Sequence, residues 1–295
     1  MRYFFHIGYN GFNYHGWQKQ LSDYAPPALK GAKAALTFGR NLRLPLGLGL
    51  TIQQVLEDNL SKLLKIPASI IGCGRTDAQV HAKQYFFHLN SDTELNEEII
   101  FRLNKMLPED IAVFDIIKVA DDVHAQYNAV KRTYDYFIHT CKDPFLNHFS
   151  CLYLKKYLDT NKMKQVLALL PKYKDYRAFC KSPDKYEHTI CNVSSAKLFS
   201  DAKGDKLRIQ ISSNRFLRGM IRAIVAKLLQ IGGGEMSVDE YETYLISKET
   251  RSNLEFAPPQ GLYLSKVVYP FLDIPARTEF SPFFQGNKEK EWQLV

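Results

Sequence analysis

The sequence predicts an α+β fold built from two similar mixed α/β halves, residues 1–118 and 119–295. Three observations carry that prediction. Residues 1–118 read as strand, helix, strand, strand, helix, strand, an order resembling the split βαβ arrangement. The second half repeats the theme loosely, in order of elements and not residue by residue, around one long amphipathic helix pattern. Composition is that of an ordinary globular protein, 45% hydrophobic and 24% charged over 295 residues, enough to bury a large core.

The elements follow in order. Residues 2–9 mix aromatic and β-branched side chains and read as a strand. Tyr14 and Trp17, just beyond it, suit core packing at a strand end and a substrate-facing role equally. Residues 21–50 hold Pro26-Pro27 and no sustained period, and Lys30, Lys33, Arg40 and Arg43 stand there against one acid, Asp23. Thr51-Ile52-Gln53-Gln54 has the capping-box pattern and opens a helix with Ile52, Val55, Leu56, Leu60, Leu63 and Leu64 on one face, closed by Pro67. Asn96 is the expected cap of a second helix, which carries Ile99, Ile100 and Leu103 and stops at Pro108. Ile111–Val119 reads as a strand. Alternation then puts Tyr134, Tyr136 and Ile138 on one strand face. A helix near 160–170 ends at Pro171, and strands are expected around Phe179, at 189–199 and at 207–211. Ser213–Leu229 is read as one helix, with Leu217, Met220, Ile221, Ile224, Val225 and Leu228 buried and Arg215, Arg218 and Arg222 on a second face. Gly232-Gly233-Gly234 ends it, and Ser237-Val238-Asp239-Glu240 caps another short helix.

The chemistry concentrates between the strand runs at Ile70-Ile71 and Tyr85–Leu89. There Gly72-Cys73-Gly74 leads into Arg75-Thr76-Asp77, a cation, a hydroxyl and a carboxylate in succession. A carboxylate beside an arginine is favoured in its ionised form, available as nucleophile or ligand. By itself the triplet more readily describes an ion pair that pins a turn, and the surrounding residues change that balance. Lys plus Arg exceed Asp plus Glu by 39 − 31 = +8, which favours a polyanionic partner such as nucleic acid. Cys73, Cys141, Cys151, Cys180 and Cys191 are odd in number with no C-x-x-C spacing. A disulfide framework or zinc site is therefore not expected, and the cytoplasm is the simplest compartment. Neither a signal peptide nor a membrane-spanning stretch is read from the chain.

Five segments carry a family resemblance. Gly72–Ala82 resembles the G-x-G-R-T-D-A-G-V-H-A signature of the tRNA pseudouridine synthase A family, with Gln79 in place of the usual Gly and a slightly different loop expected for it. Gly8–Gln20 resembles Y-D-G-x-x-Y-H-G-W-Q-x-Q, with Asn10 for Asp. Asp122–Ile138 resembles D-x-H-A-R-F-x-A-x-x-R-x-Y-x-Y-x-I, with Gln126 and Tyr127 for Arg and Phe. Phe216–Val225 resembles F-L-x-x-M-V-R-N-I-V, and Ala257–Leu264 resembles A-P-x-x-G-L-Y-L. The likeness covers the chain except 21–50 and the tail beyond about residue 273. In the family only a handful of residues stand in place of 21–50. A disordered surface insert is the first expectation there, with an RNA-contacting excursion and a fault in the sequence itself as the alternatives.

The resemblance implies a continuous, largely antiparallel sheet flanked by helices. It also implies a cofactor-free and metal-free enzyme that isomerises uridine in tRNA, at positions 38–40 of the anticodon stem-loop, as a homodimer. Residue by residue, it makes Asp77 the nucleophile and Arg222 the cation beside it. Tyr134 lies against the target base, and Arg75 extrudes the uridine or fills its space. One leucine of Leu262 and Leu264 packs on the base. Two rival readings are an unrelated Asp-nucleophile enzyme, which would call for metal-binding carboxylates or a phosphate-cradling glycine loop that the sequence does not offer, and an inactive tRNA-binding protein on the same scaffold. Retention of Arg75, Asp77, Tyr134 and Arg222 together argues against the latter.

Overall fold

Among the described residues, ten strands and five helices form where local sequence preference and burial agree. The computed structural model describes residues 1–19, 49–155, 157–249, 254–277 and 293–294. The reading of 21–50 as a surface insert lies outside them, apart from residues 49 and 50. The strands are β1 (Arg2–Tyr9), β2 (Ile71–Gly72), β3 (His81–Asn90), β4 (Ile111–Val119), β5 (Lys131–His139), β6 (Cys151–Leu152), β7 (Val193–Ser200), β8 (Lys206–Ser213), β9 (Leu262–Val268) and β10 (Gln293–Leu294). The helices are α1 (Ile52–Leu64), α2 (Glu98–Met106), α3 (Thr160–Leu169), α4 (Met220–Gly232) and α5 (Val238–Ser247). Among the described residues, no helix is long and apolar enough to cross a membrane.

All strands join one sheet in the order β10-β7-β8-β5-β9-β3-β1-β4, with β2 beside β3 and β6 beside β5. The sheet is largely antiparallel. Among the described residues, only the β3–β9 and β5–β6 pairings are parallel. The late strand β9 inserts between β5 and β3, so the sheet runs unbroken from one half into the other. Because β3 and β9 are parallel, with His81 opposite Tyr263 and Ala82 opposite Leu264, the loops that precede them emerge at the same end of the sheet. Leu56, Leu103, Val166 and Ile224 from four helices share one buried cluster with Phe5, Phe87, Tyr136 and Ile211 from the strands. Phe137 falls into a separate cluster with Leu146 and Tyr263, as alternation along β5 requires.

Local signals place most boundaries. The Thr51 hydroxyl accepts from Gln54 N at 3.3 Å, and α5 begins with a complete capping box between Ser237 and Glu240. Three expectations need correction. Asn96 does not cap α2. Glu97 holds that position, and the first turn closes through the backbone carbonyls of Asn96 and Glu97, so no side-chain acceptor is required. Phe179 lies in a short 3-10 turn, Arg177–Phe179, because the Asp175 carboxylate accepts from Arg177 N and from Thr189 and curls the chain. The stretch 213–229 is not one helix. β8 continues to Ser213, and α4 starts only at Met220. Gly219 is the break: its φ is +75°, and a Cβ there would stand 2.5 Å from the Phe256 ring. Leu217 and the rest of the apolar stripe are buried as expected, but Arg215 and Arg218 sit on a loop, with Arg222 in the first turn of α4.

Candidate active site

The loop between β2 and β3 is fastened on every side. A Cβ at Gly72 would fall 2.0 Å from the Tyr85 hydroxyl and 2.6 Å from the Trp17 ring, so only glycine fits. Cys73 N donates to Phe86 O at 2.7 Å, and the Tyr85 hydroxyl donates to Gly74 O at 2.6 Å. Thr76 shares a 2.9 Å hydrogen bond with the Tyr9 hydroxyl, and its carbonyl accepts from Trp17 N at 3.1 Å. Gln79 takes a positive φ of 64°, the backbone conformation that glycine would favour. The strain, on the order of 1 kcal/mol, is offset by neighbouring bonds. Gln79 N donates to Tyr14 O at 3.0 Å, and Val80 N to Asp77 O at 3.2 Å. Burial decides the roles left open for Tyr14 and Trp17. Trp17 is sealed against Tyr85, ring centroids 4.1 Å apart, and Tyr14 donates to Asp110 at 2.5 Å. Both support the loop from behind.

Asp77 is held out of this frame with its side chain 34% exposed, reachable by a substrate. Arg222 Nη1 lies 3.4 Å from Oδ2, and Arg218 Nε 4.0 Å from Oδ1. The two arginines differ. Arg222 is largely covered; its Nε donates to Ala257 O at 2.7 Å, its own carbonyl accepts from Ala257 N at 3.0 Å, and its guanidinium lies over the Phe256 ring. Arg218 is mostly exposed. The carboxylate thus sits between a locked cation and a loose one. Arg75 is exposed, with no ion pair among the described residues.

Tyr134 is buried in β5, its ring edge-on to Phe216 at 5.1 Å. Burial pushes its phenol well above the ordinary range; Arg132 opposes that rise and Asp77 adds to it, so all three groups share one field. Among the described residues its hydroxyl has no hydrogen-bond partner. Leu264 stands opposite Tyr134 and Leu262 opposite Tyr136, and Leu262 keeps the larger exposed remnant, 7% against 1%. No three His, Cys, Asp or Glu side chains among the described residues converge as metal ligands.

Two structurally central residues receive no role from the sequence alone. Arg132 donates from Nη2 to Cys73 O and Gln126 O, both at 2.8 Å, and from Nη1 to Asn214 O at 3.0 Å and Ala129 O at 3.2 Å. One guanidinium therefore joins the Asp77 loop, the 122–130 loop and the loop before α4. The available signal is its place in the matched R-x-Y pattern, two residues before Tyr134. His81 is the second. Its Nδ1 accepts from Gly11 N at 3.2 Å, and its Nε2–H donates to Gln260 O at 3.1 Å, an arrangement open only to the neutral ring. Burial pulls its pKa down to about 4.

The chain is similar to known proteins over most of its length. A family model described as tRNA pseudouridine synthase matches residues 173–270. A protein of Porphyromonas gingivalis named tRNA pseudouridine synthase A is 33% identical, over 91% of this chain and 97% of its own length. Its namesake in Parabacteroides distasonis is 33% identical over 91% and 96%, and that of Exiguobacterium sibiricum 36% identical over 75% and 88%.

Proposed function

The chain belongs to the tRNA pseudouridine synthase A family, and from that premise we propose that it isomerises uridine to pseudouridine in the tRNA anticodon stem-loop with Asp77 as nucleophile. The single observation that supports Asp77 most is its setting: an accessible carboxylate on a fully fastened loop, 3.4 Å from an arginine that is itself locked to Ala257 O.

The reaction breaks the N1–C1′ bond and forms a C5–C1′ bond, while the proton on C5 is exchanged for one on N1. Atoms and electrons balance within the substrate, so the carboxylate needs only to form and release a covalent bond to sugar or base. Arg222 orients it. The ring must leave its stack before it can react, and Arg75 is the exposed cation of the loop suited to extruding it. Tyr134 then confines the detached uracil, its neutral phenol turned toward the same field as Asp77. Positions 38–40 and a homodimer as the acting form come from the family resemblance. Mass mapping of pseudouridine in incubated tRNA tests the assignment. Asp77→Asn is expected to bind tRNA and form no pseudouridine, and substantial product from that variant would remove Asp77 from the role.

A further inference from the structure

Beside the catalytic loop lies an aromatic ring that the mechanism does not use. Tyr127 is 80% exposed, yet its position is fixed. Its ring lies on His124 at 4.2 Å and 24°, and His124 meets the buried His88 edge-on at 4.8 Å, so a ladder of three rings runs from the interior to the surface. The loop is built without help from the Tyr127 side chain. His124 Nδ1 accepts from Gln126 N at 3.1 Å and Tyr127 N at 3.3 Å, and Asn128 Oδ1 accepts from His124 N at 2.7 Å. Ala125 N donates to His88 Nδ1 at 3.1 Å, and Ala125 O accepts from Tyr269 at 2.6 Å. The loop also abuts the catalytic one. Gln126 O and Cys73 O each accept from the same Arg132 nitrogen at 2.8 Å, which places the backbone before Tyr127 next to the backbone before Arg75.

We propose that Tyr127 is a stacking platform for an unpaired base of the tRNA, outside the catalytic pocket and beside its entrance. The inference rests on the tRNA pseudouridine synthase reading and extends it to a second base-binding site. A ring fixed in advance on one face and open on the other gives up little conformational entropy on binding, and every base offers a face to it. Its exposed sequence neighbours Gln126 and Asn128 are polar, Lys131 is an exposed cation four residues on, and Arg75 is an exposed cation of the abutting loop. That mixture suits a nucleotide, whose base is flat and whose phosphate is anionic, better than an apolar protein surface.

The test is direct binding of an unmodified tRNA transcript to the purified full chain, followed by fluorescence anisotropy. Tyr127→Ala is expected to weaken binding by roughly ten- to a hundredfold, the range that loss of a stacked base produces. Tyr127→Phe should stay within about twofold of the parent, since the ring remains. Phe101→Ala, which removes a 61% exposed ring on α2, should bind as the parent does and controls for loss of surface aromatic area. An active parent whose Tyr127→Ala variant binds within twofold overturns the platform and leaves the enzyme assignment intact. Equal weakening in Tyr127→Phe and Tyr127→Ala overturns stacking in favour of the hydroxyl. A parent that forms no pseudouridine overturns both readings.

Discussion

At Tyr134 a single oxygen distinguishes two functions. The ring is largely covered and packed edge-on against Phe216, and its hydroxyl is neutral and without a partner among the described residues. A hydroxyl with no protein partner is free to bond a ligand, and the proton exchange between C5 and N1 supplies such a use. Tyr134→Phe leaves the stacking ring in place. Its kcat should fall by roughly a hundredfold with little change in tRNA affinity, measured by single-turnover pseudouridine formation. A parental kcat would reduce Tyr134 to a stacking residue.

At the scale of elements, the site depends on three loops held by Arg132. Its planar fork reaches four carbonyls at once; a lysine ammonium, one point on a flexible stem, cannot reproduce that. Arg132→Lys strands carbonyls of the catalytic loop and of the loop before α4, at about 1 kcal/mol each. We expect Tm to fall by several degrees and kcat by at least roughly tenfold. Free guanidinium should restore part of the kcat of Arg132→Ala without restoring its Tm. Rescue of neither would make Arg132 a fold residue only. The break at Gly219 acts at the same scale, because it puts Arg218 on a loop from which it can reach Asp77 while Arg222 stays anchored in α4.

Across the whole molecule, histidines buried in the sheet tie stability to pH. Burial lowers His81 to about 4, and burial with Arg2 and His124 lowers His88 to about 4; His6, fully covered in β1, is lowered by burial against the pull of Asp115. In the unfolded chain these rings titrate near their ordinary 6.5. The unfolded state therefore takes up protons first as pH falls, and the contribution to folding is complete above about 6.5 and is lost toward 4. At pH 5.5, His81 and His88 should each have surrendered roughly 1 kcal/mol. Tm measured at pH 7.5 and at pH 5.5 should drop by several degrees. An unchanged Tm would mean that these rings accept protons in the fold.

Much of this was legible in the residues themselves. Strand β4 runs over the predicted span, Thr51 and Ser237 cap their helices, and Tyr136 and Phe137 part to opposite sides of β5. These features depend on neighbours a few positions apart, where sterics and capping hydrogen bonds leave a readable period. The motif likewise placed Arg75 and Asp77 together on one loop. The family resemblance named Arg222 as the cation beside Asp77, 145 positions away, but only the tertiary structure inserted β9 between β5 and β3 and gathered three loops on Arg132. It also held Gln79 at the φ that glycine would prefer and ended the strand–helix ambiguity at Gly219 against the Phe256 ring. Such outcomes are set by which distant carbonyls, amides and apolar faces remain to be satisfied once the local elements exist, and no short window of sequence contains both partners.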